Sequence, residues 1–171
     1  HSALVTATSR DRLDFQPPLL NGRLYLRQAT GVSSSAAVRH LENAERSLLR
    51  AADRNPEYFK PWSNLFETYY HRSRKTPTGR KTEWKEKALA AAQKATRLYP
   101  GSAEIRLDLA EIAEQMGQIE LALENYKKAV EIENAYRSQF RTMYPDRPLF
   151  SRLGAEKYRR AKSKIDQLTR R

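Results

Sequence analysis

The chain has no cysteine among its 171 residues. That excludes disulfides, thiolate metal sites and cysteine nucleophiles together. Histidine is nearly as scarce: His1, His40 and His71 stand far apart and form no pair at metal-ligand spacing, so the expectation is no metal and no cofactor. No apolar run approaches the roughly 18 residues of a membrane span, and no charged-then-apolar leader opens the chain. It therefore reads as a soluble piece, cytoplasmic or an extracytoplasmic part of something membrane-associated. Only six glycines and eight prolines occur, with 39% apolar and 30% charged residues, a balance that suits a folded domain rather than a disordered chain.

Catalytic signatures are missing too. The stretch RKTPTGRKTEW (74–84) resembles a phosphate-binding loop at its Gly79, Lys81 and Thr82. Such a loop needs two glycines five residues apart, with the second directly before lysine, so that backbone N–H groups converge on phosphate. Here Arg74 takes the first glycine's place and Arg80 intervenes before Lys81. There is no nucleophile elbow and no paired-histidine motif, so the expectation is a protein that is not an enzyme.

What the chain does have is a repeat. Ala44, Leu48 and Ala51 are followed by Pro56; Ala88, Ala92 and Ala95 by Pro100; Ala122, Tyr126 and Ala129 by Asn134. The offsets between triplets are 44 and 34 residues. Positions i, i+4 and i+7 share one helix face, so each triplet is a stripe on which a neighbouring helix can pack closely. Amphipathic segments precede the later two, around Trp62, Leu65, Phe66 and Tyr69 and around Ile105, Leu109, Ile112 and Ala113. Gly117 marks the turn between helices.

On these residues the chain resembles the tetratricopeptide repeat family. Trp62, Leu65 and Tyr69 fall on its first-helix spacing, and Ala122, Tyr126, Ala129 and Asn134 on its second, with Asn for the usual Pro. The resemblance implies an all-α, right-handed superhelical solenoid of about three helix-turn-helix repeats with a C-terminal capping helix. Residues 1–20, containing Pro17 and Pro18, read as an extended arm. Repeats would cover 21–134: a degenerate 21–56, with Ser34 or Ser35 as helix cap, then 57–100, then the best match at 101–134. The ten surplus residues of the second repeat predict an exposed basic loop near 71–87, turned by Pro77 and Gly79, with Thr82 or Glu83 starting the next helix and Trp84 folding back. Phe66 stands where the family has a small residue, which predicts a splayed helix pair or a local pocket for the ring. Residues 135–171 read as basic capping helices.

The family's first helices line a concave groove for peptides. The resemblance therefore implies a protein or peptide partner contacting Lys60, Asn64, Glu67 and Tyr70 on one repeat and Glu104, Asp108, Glu111 and Glu114 on the next. Chaperone-binding members hold a terminal carboxylate with Lys, Asn and Arg; here Asn64 matches, while Glu104 and Asp108 stand where cations are wanted. Four carboxylates on one face favour a basic ligand, unless they are a solvated face with i,i+4 partners.

The net charge of +12 is uneven. Residues 71–87 hold seven Lys/Arg against two acids and residues 135–171 hold eleven against three. Arg74, Lys75, Arg80 and Lys81, with Arg159, Arg160, Lys162 and Lys164, are thus candidate contacts for an acidic partner. Nucleic acid or an anionic surface is the alternative, ranked below a protein partner because aromatics at helical spacing are more often core than stacking platforms. An incomplete first repeat also offers an end face for self-association. The run YRSQFRTMYPDRPLFSRLG (136–154) is similar to tails of repeat-bearing bacterial O-antigen ligase or polymerase-like membrane proteins, which implies an appendage of a larger envelope assembly.

Overall fold

In the computed structural model, residues 2–4, 6, 14–30, 34–76 and 78–170 are described. Their helices are α1 (Gln16–Ala29), α2 (Ser34–Arg54), α3 (Phe59–Lys75), α4 (Thr78–Leu98), α5 (Ala103–Gln115), α6 (Ile119–Met143) and α7 (Gly154–Thr169). No strand occurs among the described residues, so the chain is an all-α helical-repeat fold. No described helix is long and apolar enough to cross a membrane. Two compact units follow one another, residues 1–98 and 99–171.

The three triplets are the core seams. All nine residues are at most 1% exposed, as small side chains permit when helix axes approach closely. Consecutive helices pair within each unit: α1 with α2, α2 with α3, α3 with α4, and α5 with α6. Where α1 crosses α2, Gly22 lies over Leu48 and the Ala44 carbonyl. A β-carbon there would stand only 2.6 Å from Leu48 Cγ.

Local chemistry sets the helix ends. Ser102 caps α5 by accepting the Ile105 N–H at 3.3 Å. At its other end Gly117 takes a left-handed φ of 74°, while Gln118 N–H bonds the Ala113 carbonyl at 2.9 Å and Gly117 N–H that of Glu114 at 3.0 Å. This closes the helix and turns the chain into α6.

Pro17 and Pro18 do not belong to an extended arm: they lie in the first turn of α1, where the missing N–H costs nothing, and residues 2–4 and 6 are helical as well. The rest of the expected arm before Asp14 lies outside the described residues, as do Pro77 and the side chain of Ser34.

The surplus of the second repeat is not a ten-residue loop, because α3 runs to Lys75 and α4 starts at Thr78 rather than at Thr82 or Glu83. The extra residues lengthen both helices, since Lys, Arg and Glu favour helix and the extension buries Trp84 against Tyr69, ring centroids 6.0 Å apart. Trp84 does fold back, as expected. Phe66 is buried and stacked on Tyr70 at 5.8 Å, which is the local pocket. Finally, α6 does not stop at Asn134 but continues to Met143, because Asn, unlike Pro, keeps its N–H and has no ring to clash with the preceding turn.

Candidate interaction site

In the first unit, α1 and α3 border a depression of about 570 Å³. Leu20, Arg23, Leu24 and Arg27 of α1 line one side at i, i+3, i+4 and i+7; Asn64, Glu67 and His71 of α3 line the other at i, i+3 and i+7. The leucines supply an apolar floor, the guanidiniums positive charge, and Asn64 donors and an acceptor. Burial, and then the charges of Arg74 and Lys75, hold the His71 pKa below its ordinary value, so this imidazole is neutral at pH 7. Of the α3 residues predicted to meet a ligand, Asn64 and Glu67 border the depression. Lys60 instead sits over the Tyr58 ring at 5.8 Å, and Tyr70 stacks on Phe66. The α1 residues are missed in sequence because Leu20 falls in the expected arm, and Arg23, Leu24 and Arg27 in the degenerate first repeat. Their helical spacing was the available signal.

The basic run at the α3–α4 junction divides by direction. Arg72 turns inward: its guanidinium meets Glu42 at 2.9 Å and Glu45 at 2.8 Å, and lies 3.8 Å from the Trp84 ring centre. It ties α2, α3 and α4 together through charge, fork geometry and stacking at once. Arg74, Lys75, Arg80 and Lys81 are exposed.

The second unit holds the acidic face, and the cations expected from a ligand come from α7 of the same chain. Lys157 bonds Glu104 at 2.9 Å, Arg160 bonds Glu111, and Lys164 bonds Glu114 at 2.6 Å. The order is the same along both helices, so α5 and α7 run parallel. The Lys157 ammonium is held charged above its ordinary pKa, first by the Glu104 bond and then, against its burial, by the charges of Glu104, Asp108 and Glu111. Arg160 and Lys164, expected to reach an outside anion, are thereby engaged within the unit, while Arg159 and Lys162 are exposed.

Glu133 was not singled out in the sequence, yet its side chain is wholly buried. It receives Arg137 Nε at 2.8 Å, Ser151 Oγ at 2.6 Å and the Leu153 N–H at 3.2 Å. Burial alone would raise its pKa; these bonds and the Arg137 charge more than offset that and hold it below the usual carboxylate value. One acid thus pins the connector before α7 to the extension of α6. Another inward polar pair, Arg106 Nη1 to Asn125 Oδ1 at 2.9 Å, joins α5 to α6. In sequence both acid and amide look like solvated helix residues.

Residues 103–136 match the tetratricopeptide repeat family model. Among solved structures the chain is similar to MamA, with a TM-score of 0.62 and 16% identity over 99% of this chain and 75% of that one. It is also similar to TTC0263, a thermophilic TPR protein in Thermus thermophilus, with a TM-score of 0.61 and 18% identity over 99% and 81%. At these identities the likeness concerns the fold. No curated protein matches the chain.

Proposed function

We propose that this tetratricopeptide-repeat chain is a non-enzymatic scaffold that holds a segment of another protein on the α1–α3 face of its first unit. The observation that carries the reading is the depression itself, in which exposed Arg23 and Arg27 stand beside half-buried Leu24 and Asn64. An extended segment would bury an apolar side chain on the leucines and offer a carboxylate to the guanidiniums, with Asn64 bonding its backbone. The α5 face is a weaker candidate, because Glu104, Glu111 and Glu114 are already met by α7.

The reading is tested with peptides selected from a display library. Arg23→Glu with Arg27→Glu abolishes their binding, whereas Glu104→Ala, Asp108→Ala and Glu111→Ala together leave it intact. The opposite pattern would move the site to α5. A second reading, contact with an anionic surface, is supported by the exposure of Arg74, Lys75, Arg80 and Lys81 around one helix junction; retention on heparin that falls steeply with salt is its signature. The setting in an envelope assembly rests on the sequence alone.

A further inference from the structure

The end of α6 and the connector after it carry a surface that the repeat does not use. Phe150 is 62% exposed, Met143 58% and Tyr144 38%. Single exposed apolar residues are ordinary, but contiguous ones mark contact surfaces. Here the rings adjoin one another: Tyr136 and Phe140 on α6 and Tyr144 at its C-cap follow at 6.1 and 5.1 Å between ring centres, Phe150 stands edge-on to Tyr136 at 6.5 Å, and Met143 shares the helix face of Tyr136 and Phe140 at i+7 and i+3.

Cations frame these rings. The Arg152 guanidinium lies 4.1 Å from the Tyr136 ring centre and that of Arg147 4.9 Å from Tyr144. Arg141 is exposed one turn before Tyr144. Just beyond Phe150, the connector is pinned by the Glu133 bonds to Ser151 and Leu153. The far end of the connector is therefore held in place before any partner arrives, which lowers the cost of binding there.

The choice of cation identifies the partner. Residues 135–153 contain four arginines, no lysine and one aspartate. A bilayer or a phosphate backbone is drawn by lysine as well as arginine. Aromatics, Met and Arg without Lys is the composition of protein interfaces, where the planar guanidinium grips a carboxylate with two bonds while still lying on a ring. We infer that Met143, Tyr144 and Phe150, framed by Arg141, Arg147 and Arg152, form a second docking surface for a protein segment that presents carboxylates around apolar side chains.

The test is a peptide array in which Glu positions and Leu or Phe positions are permuted, each member beside an equally charged counterpart with Ser for its apolar residues. Vesicles of phosphatidylcholine with phosphatidylserine, and single-stranded oligothymidylate, are assayed in parallel. Acidic-apolar members bind the full chain better than their Ser counterparts. Binding weakens about tenfold with Met143→Ser plus Phe150→Ser, and again with Arg141→Gln plus Arg147→Gln, while Arg23→Glu plus Arg27→Glu leaves it unchanged. All four substituted positions of the surface are exposed, and unchanged thermal unfolding confirms intact folding. The inference is overturned if no member exceeds its counterpart, if only the Arg23 and Arg27 change weakens binding, or if the surface changes affect vesicles or oligothymidylate and not peptides.

Discussion

The Tyr126 hydroxyl donates a 2.8 Å hydrogen bond to one oxygen of Glu114, and the other oxygen receives Lys164 Nζ at 2.6 Å. One carboxylate therefore links α5, α6 and α7. The phenol lies at the centre of the third small-large-small stripe, and its pKa is driven upward by burial, then by the Glu114 bond and charge, so it stays a donor at any ordinary pH.

That linkage predicts how α7 is held. Exposed ion pairs are individually weak, yet Lys157, Arg160 and Lys164 act on one rigid helix. Replacing Glu104, Glu111 and Glu114 together with Gln speeds amide hydrogen exchange across 157–168 while α5 and α6 stay protected. High salt acts in the same direction on the native chain. Exchange in α7 that ignores both changes would show that it docks through Ala161 and Leu168 alone.

Acid should act through Glu133. Its folded pKa lies below the ordinary glutamate value of 4.5, so the unfolded chain takes up the proton first. The stabilisation is complete above pH 4.5 and disappears as pH falls through the lower folded value. Glu133→Gln removes this acid sensitivity of the second unit, and Glu133→Ala, which strands buried donors, costs about 3 kcal/mol at neutral pH. Urea titrations at several pH values read both effects.

At Gly22 two effects of opposite sign compete. Alanine in a helix gains about 1 kcal/mol over glycine, but its β-carbon would press on a fully buried Leu48, and overpacking costs about 1–3 kcal/mol. Overpacking wins, so Gly22→Ala destabilises by about 1 kcal/mol. Leu48→Ala opens the space the methyl needs, and the double variant is less damaged than the sum of the two singles.

The repeat was legible because close helix packing demands small residues at fixed spacing, and the triplets at Ala44, Ala88 and Ala122 announce it directly. Helix ends were less so: Asn134 sits where a proline would stop the helix, but it keeps its N–H and lets α6 run on to Met143. The pairing of α5 with α7 joins residues about fifty positions apart, and nothing local to Glu104 or Lys157 encodes it. Glu133 reads as a surface acid in ENAYR until Ser151 and Leu153 close over it. On the candidate site, Asn64 and Glu67 were visible through the family spacing, whereas Arg23 and Arg27 needed α1 to be recognised as a full helix.

The central claim is that the α1–α3 face of the first unit receives a segment of another protein. It is tested most directly by titrating a display-selected peptide into the isotopically labelled chain and following backbone amide resonances. The account predicts perturbations concentrated at Leu20, Arg23, Leu24 and Arg27 and at Asn64, Glu67 and His71, lost on Arg23→Glu with Arg27→Glu. Perturbations confined to α5 and α7, or left intact by that charge reversal, would contradict it.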